Sequence, residues 1–225
     1  MPPGLPELDA AVRAATTRAG RASLDEAVGA VAANPEAVRT RFPAAGRTLG
    51  RAPVDPALGV ERADEGGRVL LLAALPRPGD ELLELYDDGD GDERAAVLRA
   101  LPFIDVYESI GLRLVTDALG THDARLVTAA LGPYGVARLP AGALRRGVLK
   151  AALMGLPLDA IGGLDGRADP ELARMLAGCV HERIAAGRSV PAGIWPFILR
   201  FPPGPELAAI QAELAHPADS QTASR

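Results

Sequence analysis

Apolar residues recur at three- and four-residue spacing along most of this chain, and the residues that fill those positions are mainly Ala and Leu. That spacing gives an α-helix one buried stripe. Ala and Leu favour helix, whereas strands draw on the β-branched and aromatic residues. Aromatics make up only 4% of this sequence, although its hydrophobic fraction is 48%. An all-α chain with a substantial core follows. Leu8, Val12 and Ala15 fall on one helical face, and Leu24, Val28 and Val31 on another.

Local signals divide the chain. Ser23 with Glu26 reads as a capping box, and Pro35 as the first residue of a new helix. Residues 43–63, rich in Gly and Pro, read as an irregular connection. The run "EGGRVLLLAALP" is short enough to be helix or strand. Its lack of β-branching and its helical neighbours favour helix. "DDGDGD" resembles a calcium loop but lacks the glutamate at the twelfth position, so it reads as a turn. Asp92 is the expected cap of the helix through Leu101, and Thr121 of the helix beginning at His122. Asp169, Pro170 and Glu171 mark a helix start, and Gly187 its stop. A last helix, "GPELAAIQAELAH", precedes a tail, "PADSQTASR", that reads as disordered. The expected organisation is a flexible segment 1–6, one helical domain over 7–214 and a tail over 215–225. About ten helices joined by short links suggest antiparallel pairs stacked as a solenoid or an irregular bundle.

Charge and motifs narrow the function. The net charge is -5, which disfavours a nucleic-acid backbone binder. One cysteine, Cys179, cannot make an internal disulfide and reads as a small buried hydrophobe. No apolar run approaches the roughly 20 residues of a membrane span, and the N-terminus has no secretory pattern, so a cytoplasmic location is expected. Phosphate-loop, dinucleotide, His-Glu-x-x-His and Gly-x-Ser-x-Gly motifs are missing. No cofactor and no metal is expected. His122, His181 and His216 read as surface or core-edge residues unless distant partners converge on them.

Charges on apolar faces are the sharper signal. Helical projection puts Arg183 in the stripe of Leu172, Leu176, Cys179 and Val180, and Glu108 beside Gly111, Val115 and Ala118. Such a charge must be paired, snorkel outward or line a pocket. At least one of the two is expected in a buried polar network. Lys150, the single lysine, lies with Arg145 and Arg146 and could be a solvated surface or an anion patch. Trp195, Phe197 and Phe201 suggest a small aromatic cluster or an exposed ridge.

The block "GVLKAALMGLPLDAIGGLDGRADPELARMLAGCVHERIAAGRSVPAGIWPFI" resembles the most recognisable part of the EboA-domain family. "ALGTHDARLVTAALGPYG" is similar to the helix and Asn-Pro-Tyr-like corner that precede it. The resemblance covers about residues 92–200. It is carried by Lys150, Gly163, Leu164, Asp165, Arg167, Ala168, Pro170, Glu171, His181, Glu182, Arg183, Gly187 and Arg188, among others. Asp169 stands where Asn is usual, Cys179 where Tyr is common, Ile184 where Trp is common, and Gly132 before Pro133 and Tyr134 in place of Asn. The resemblance implies a HEAT-like helical protein encoded among genes that make or traffic a small metabolite, of cyclitol or prenyl type. It implies no established catalytic residues. A non-catalytic accessory, scaffold or metabolite-binding protein is therefore expected, with a pathway protein or a small metabolite as partner. An enzyme or carrier acting through Lys150, Asp165, His181, Glu182 and Arg183 is the alternative, and a nucleic-acid-binding helical repeat the remote one. Glu108, His122, Tyr134, Lys150, Asp165, Arg167, His181, Glu182 and Arg183 form the candidate pocket or polar network.

Overall fold

A computed structural model describes residues 4–76 and 78–201, together with Ala208. The final helix, the tail and His216 lie outside the described residues, apart from Ala208. The fold is all-α, with stacked antiparallel helices and no strand among the described residues; one isolated bridge joins Pro53 and Arg62. The chain divides into two compact units, residues 1–138 and 139–225.

In the first unit the helices are α1 (Leu5–Ala15), α2 (Arg18–Ala33), α3 (Val38–Leu49), α4 (Ala63–Ala73), α5 (Asp80–Asp88), α6 (Gly91–Ala100), α7 (Glu108–Gly120), α8 (Ala124–Ala130) and α9 (Pro133–Arg138). The run that could have been helix or strand is α4, and it is the centre of the unit. It packs against α1, α3 and α6, and every residue from Ala63 to Leu72 is buried. A helix apolar all round belongs inside a core. The Gly66–Gly67 pair makes this possible. A Cβ at either position would lie within 2.4 Å of Val12 or 2.0 Å of Leu49, so only glycine admits α1 and α3 this closely.

Several boundaries differ from expectation. The cap of α2 is Thr17, whose hydroxyl accepts the Gly20 N–H at 3.1 Å; Ser23 lies inside the helix. Gly20, in the first turn of α2, is packed so closely that a Cβ would lie 2.3 Å from the Thr16 methyl and 3.2 Å from the Thr48 carbonyl. Helix α3 extends through Pro43 into the stretch expected to be irregular. Phe42, Ala45 and Leu49 are buried on one face, and that burial outweighs the hydrogen bond lost at the proline. Asp90, not Asp92, caps α6. It accepts from the Asp92 and Glu93 N–H groups at 2.8 and 2.9 Å, while Glu93 accepts from the Asp90 N–H at 3.0 Å. The "DDGDGD" stretch is thus a turn closed by a capping box. Asp123, not Thr121, caps α8, accepting from the Arg125 N–H at 2.9 Å.

The second unit contains α10 (Ala141–Leu153), α11 (Pro170–Ala185) and α12 (Trp195–Leu199). Helix α11 packs on α10 and α12. Its start is the one expected, with Asp169 accepting the Leu172 N–H at 2.9 Å ahead of Pro170. Its stop is Gly187, at φ +64°. Cys179 is buried on the apolar stripe, and burial raises its thiol pKa. Phe197 and Ile198 are buried, while Trp195 is half-buried.

Candidate functional site

The sequence-chosen residues fall in both units. Glu108, His122 and Tyr134 belong to the first unit, and the other six to the second. In the second unit Asp165 and Glu182 are exposed, and Lys150, Arg167, His181 and Arg183 are half-buried. Arg167 donates to the Leu139 carbonyl at 2.8 Å, and Arg183 to the Ser189 carbonyl at 2.8 Å. Arg200 donates to the Asp165 carbonyl at 2.6 Å. Arg145 is committed to Asp169 through bonds of 3.0 and 2.6 Å, so it does not join Arg146 and Lys150 in an anion patch. His122 is exposed one residue before the Asp123 cap.

The expected burial of Glu108 or Arg183 is overturned. Glu108 is exposed at the first position of α7, where its charge meets the positive end of the helix dipole. Arg183 lies in the last turn of α11, near enough to the helix end to reach a loop carbonyl. The buried charges are elsewhere. Asp64, Glu65 and Arg68, on the otherwise apolar α4, are each at most 4% exposed.

These three are the inner layer of an ionic network joining α3, α4, α6 and α8. Asp64 accepts from Arg62 Nε at 3.0 Å and from Arg68 Nη1 at 3.3 Å. Arg68 also donates to the Phe42 carbonyl at 3.2 Å, and its guanidinium lies 5.6 Å from the Phe42 ring centre. Glu65 pairs with Arg99 and accepts the Glu61 N–H at 2.8 Å. Asp92, set free by Asp90 taking the cap, receives Arg51 at 2.7 Å, Arg125 at 2.9 Å and Arg62 at 3.2 Å. Burial works to raise the Asp92 pKa, but the Arg125 hydrogen bond and the Arg62 and Arg51 charges prevail and lower it. Arg125 also grips Asp123 through Nε at 3.1 Å and Nη2 at 2.7 Å. That hydrogen bond holds Asp123 below the ordinary aspartate value.

An open cleft of about 200 Å³ lies over this network, between Glu61, Arg62 and Glu65 on one side and α6 and α8 on the other. The small residues Ala95, Ala124 and Thr128 also line it. The sequence carried a signal for it. Asp64 and Arg68 are an i, i+4 pair inside an apolar run, the same pattern that drew attention to Arg183.

A second cleft, of about 470 Å³, joins two of the sequence-chosen residues, Glu108 and Tyr134. Leu101, Pro102, Ile104 and Val106 form an apolar wall, and Asp105, Glu108 and Arg138 supply charge at the rim. Tyr134 is set by α9, whose first residue is Pro133. Its phenol lies against Gly111 of α7, where a Cβ would come within 2.2 Å of the hydroxyl oxygen. Glycine at 111 therefore seats the ring. Desolvation raises the Tyr134 pKa, opposed by Arg138 and aided by Glu108, so the phenol remains a neutral donor.

No group of three or more His, Cys, Asp or Glu side chains that could hold a metal ion occurs among the described residues. No helix among them is long and apolar enough to cross a membrane. No curated protein and no solved structure matches the chain. A family model described as metabolite traffic protein EboA matches residues 59–199, from just before α4 to the end of α12. That span exceeds half of the 225 residues, and the chain belongs to the EboA family.

Proposed function

We propose that this chain is a non-catalytic accessory protein that binds a small metabolite within a biosynthesis or trafficking pathway, and that the Tyr134 cleft is the seat. The family description associates the chain with metabolite traffic. The observation that carries the reading is the cleft itself. Its volume of about 470 Å³ falls in the range of small-molecule sites. Its lining combines apolar side chains with charged and polar groups that can orient a ligand. Leu101, Pro102, Ile104 and Val106 would cover an apolar portion of a metabolite, and the Tyr134 hydroxyl would donate to an oxygen or nitrogen on it. The partner protein is one that makes or receives that metabolite.

Native mass spectrometry of the purified full chain, followed by denaturation and identification of released small molecules, tests this. A stoichiometric compound is expected from the wild type. It should be lost from Tyr134→Ala and reduced in Gly111→Ala, whose methyl group displaces the phenol while leaving the apolar wall intact. A compound retained by both folded variants, or a chain that is empty yet forms a defined complex with a pathway protein, would remove the cleft from the reading.

A further inference from the structure

The Tyr134 cleft carries charges that the protein does not neutralise. Asp105, Glu108 and Arg138 line it and are exposed, and none of them makes an ion pair among the described residues. The Tyr134 hydroxyl likewise has no hydrogen-bond partner among the described residues. The cleft over α4 is different. Each arginine lining it already meets a carboxylate, Arg62 with Asp64, Arg99 with Glu65 and Arg125 with Asp123.

Helix geometry gathers the unmatched groups around the phenol. Glu108 and Gly111 stand three residues apart on α7 and so share a face. The Tyr134 ring lies against α7 at Gly111. Tyr134 and Arg138 stand four residues apart on α9 and share a face of their own. Helical side chains lean toward the N-terminus of their helix, so Arg138 leans back over the turn that bears Tyr134. Both charges reach the phenol: beside the desolvation that raises its pKa, Arg138 lowers it and Glu108 raises it. The hydroxyl therefore has as neighbours a carboxylate from α7 and a guanidinium from α9, which do not pair with each other.

The stretch before α7 supplies the remaining lining. Ile104 is extended, at φ -123° and ψ 150°. Burial alternates from there, with Ile104 and Val106 half-buried and Asp105 exposed. Ile104 and Val106 thus join Leu101 in the apolar wall, while Asp105 adds a second carboxylate. A ligand that carries an amine alone would leave Arg138 unmatched. One that carries an acid alone would face both carboxylates.

On the reading of this cleft as a metabolite seat, we infer that its ligand is an apolar α-amino acid. In that class an ammonium and a carboxylate stand side by side next to an apolar body. Glu108 and Asp105 receive the ammonium. Arg138 and the Tyr134 hydroxyl donate to the carboxylate. The ligand's side chain lies against Leu101, Ile104 and Val106, and the cleft volume of about 470 Å³ has room for one the size of phenylalanine's.

Isothermal titration of the dialysed full chain at low ionic strength tests this, with L-phenylalanine, L-serine, phenethylamine and 3-phenylpropionate as probes. Phenylalanine is expected to bind more tightly than the other three. Serine lacks the apolar body, phenethylamine the acid and 3-phenylpropionate the amine. Glu108→Gln should cut phenylalanine affinity about fivefold, the upper range for an exposed ion pair, and leave 3-phenylpropionate no weaker. Arg138→Gln should cut phenylalanine affinity about as much and leave phenethylamine no weaker. A merely structural role for either residue would weaken every probe alike, and that result overturns the inference. So does a folded wild type that does not bind phenylalanine, a single-charge probe that binds as well as phenylalanine, or phenylalanine binding unchanged in both variants. The metabolite reading survives these failures if native mass spectrometry releases another compound from the wild type but not from Tyr134→Ala. It falls together with the inference if no compound is released and no probe binds.

Discussion

At the scale of single residues, Asp64 carries the largest electrostatic responsibility. It is 0% exposed and pairs with three arginines, Arg62, Arg68 and, at 3.7 Å, Arg51, of which Arg68 is itself buried. Removing one partner of a buried ion pair leaves the other charge uncompensated, at a cost of about 3–5 kcal/mol. Asp64→Asn should therefore lower the unfolding free energy by about that amount, read from urea denaturation. Adding Arg68→Met should recover part of the loss, since the stranded guanidinium is then gone. Equal stability of the wild type and Asp64→Asn would mean that the Phe42 carbonyl and Glu93 alone satisfy Arg68.

At the scale of elements, one side chain often serves two purposes, and the capping residues show what that is worth. Asp90 closes α6 by a capping box and makes no ion pair among the described residues. Asp169 caps α11 and also receives Arg145 of α10, tying two helices at the point where the second begins. Loss of a cap costs about 1 kcal/mol. Asp169→Ala should therefore destabilise more than Asp90→Ala. Asp169→Asn should fall between the wild type and Asp169→Ala, because Asn can still accept the Leu172 N–H but brings no charge to Arg145. Thermal melts of the three variants check the order; Asp169→Asn as damaging as Asp169→Ala would place the whole effect in the ion pair.

At the scale of the whole molecule, carboxylates held by arginine set the response to acid. Asp92, Asp123 and Asp169 each titrate below the ordinary aspartate value of 3.8 in the folded chain. As the pH falls, the unfolded chain takes up protons first, so stability declines. The contribution is complete above the ordinary value and disappears as the pH drops through the folded values. Denaturation midpoints should be flat from pH 7 to about 5 as far as these groups are concerned, then fall below about 4. Asp92→Asn should make that fall shallower. A decline of unchanged steepness would show that Asp92 contributes little to it.

The sequence by itself determined the class of fold and much of the second unit. Ala- and Leu-rich periodicity fixes helix locally, and Asp169, Pro170 and Gly187 mark the ends of α11 through interactions within a few residues. The block around those residues likewise made the family legible. Boundaries that depend on distant packing were not legible. Pro43 is carried inside α3 by a buried face, and α2 starts at the Thr17 cap rather than at Ser23. The candidate sites divide on the same principle. Helical projection reports which residues share a face, but not whether a neighbouring helix covers it. Glu108 and Arg183 therefore looked buried and are not, whereas Asp64, Glu65 and Arg68 are buried because α1, α3 and α6 surround α4 on every side. Only the tertiary structure could bring Tyr134 against Gly111, or Asp92 against three arginines. Such contacts link residues tens of positions apart, and nothing in local spacing encodes where the chain returns.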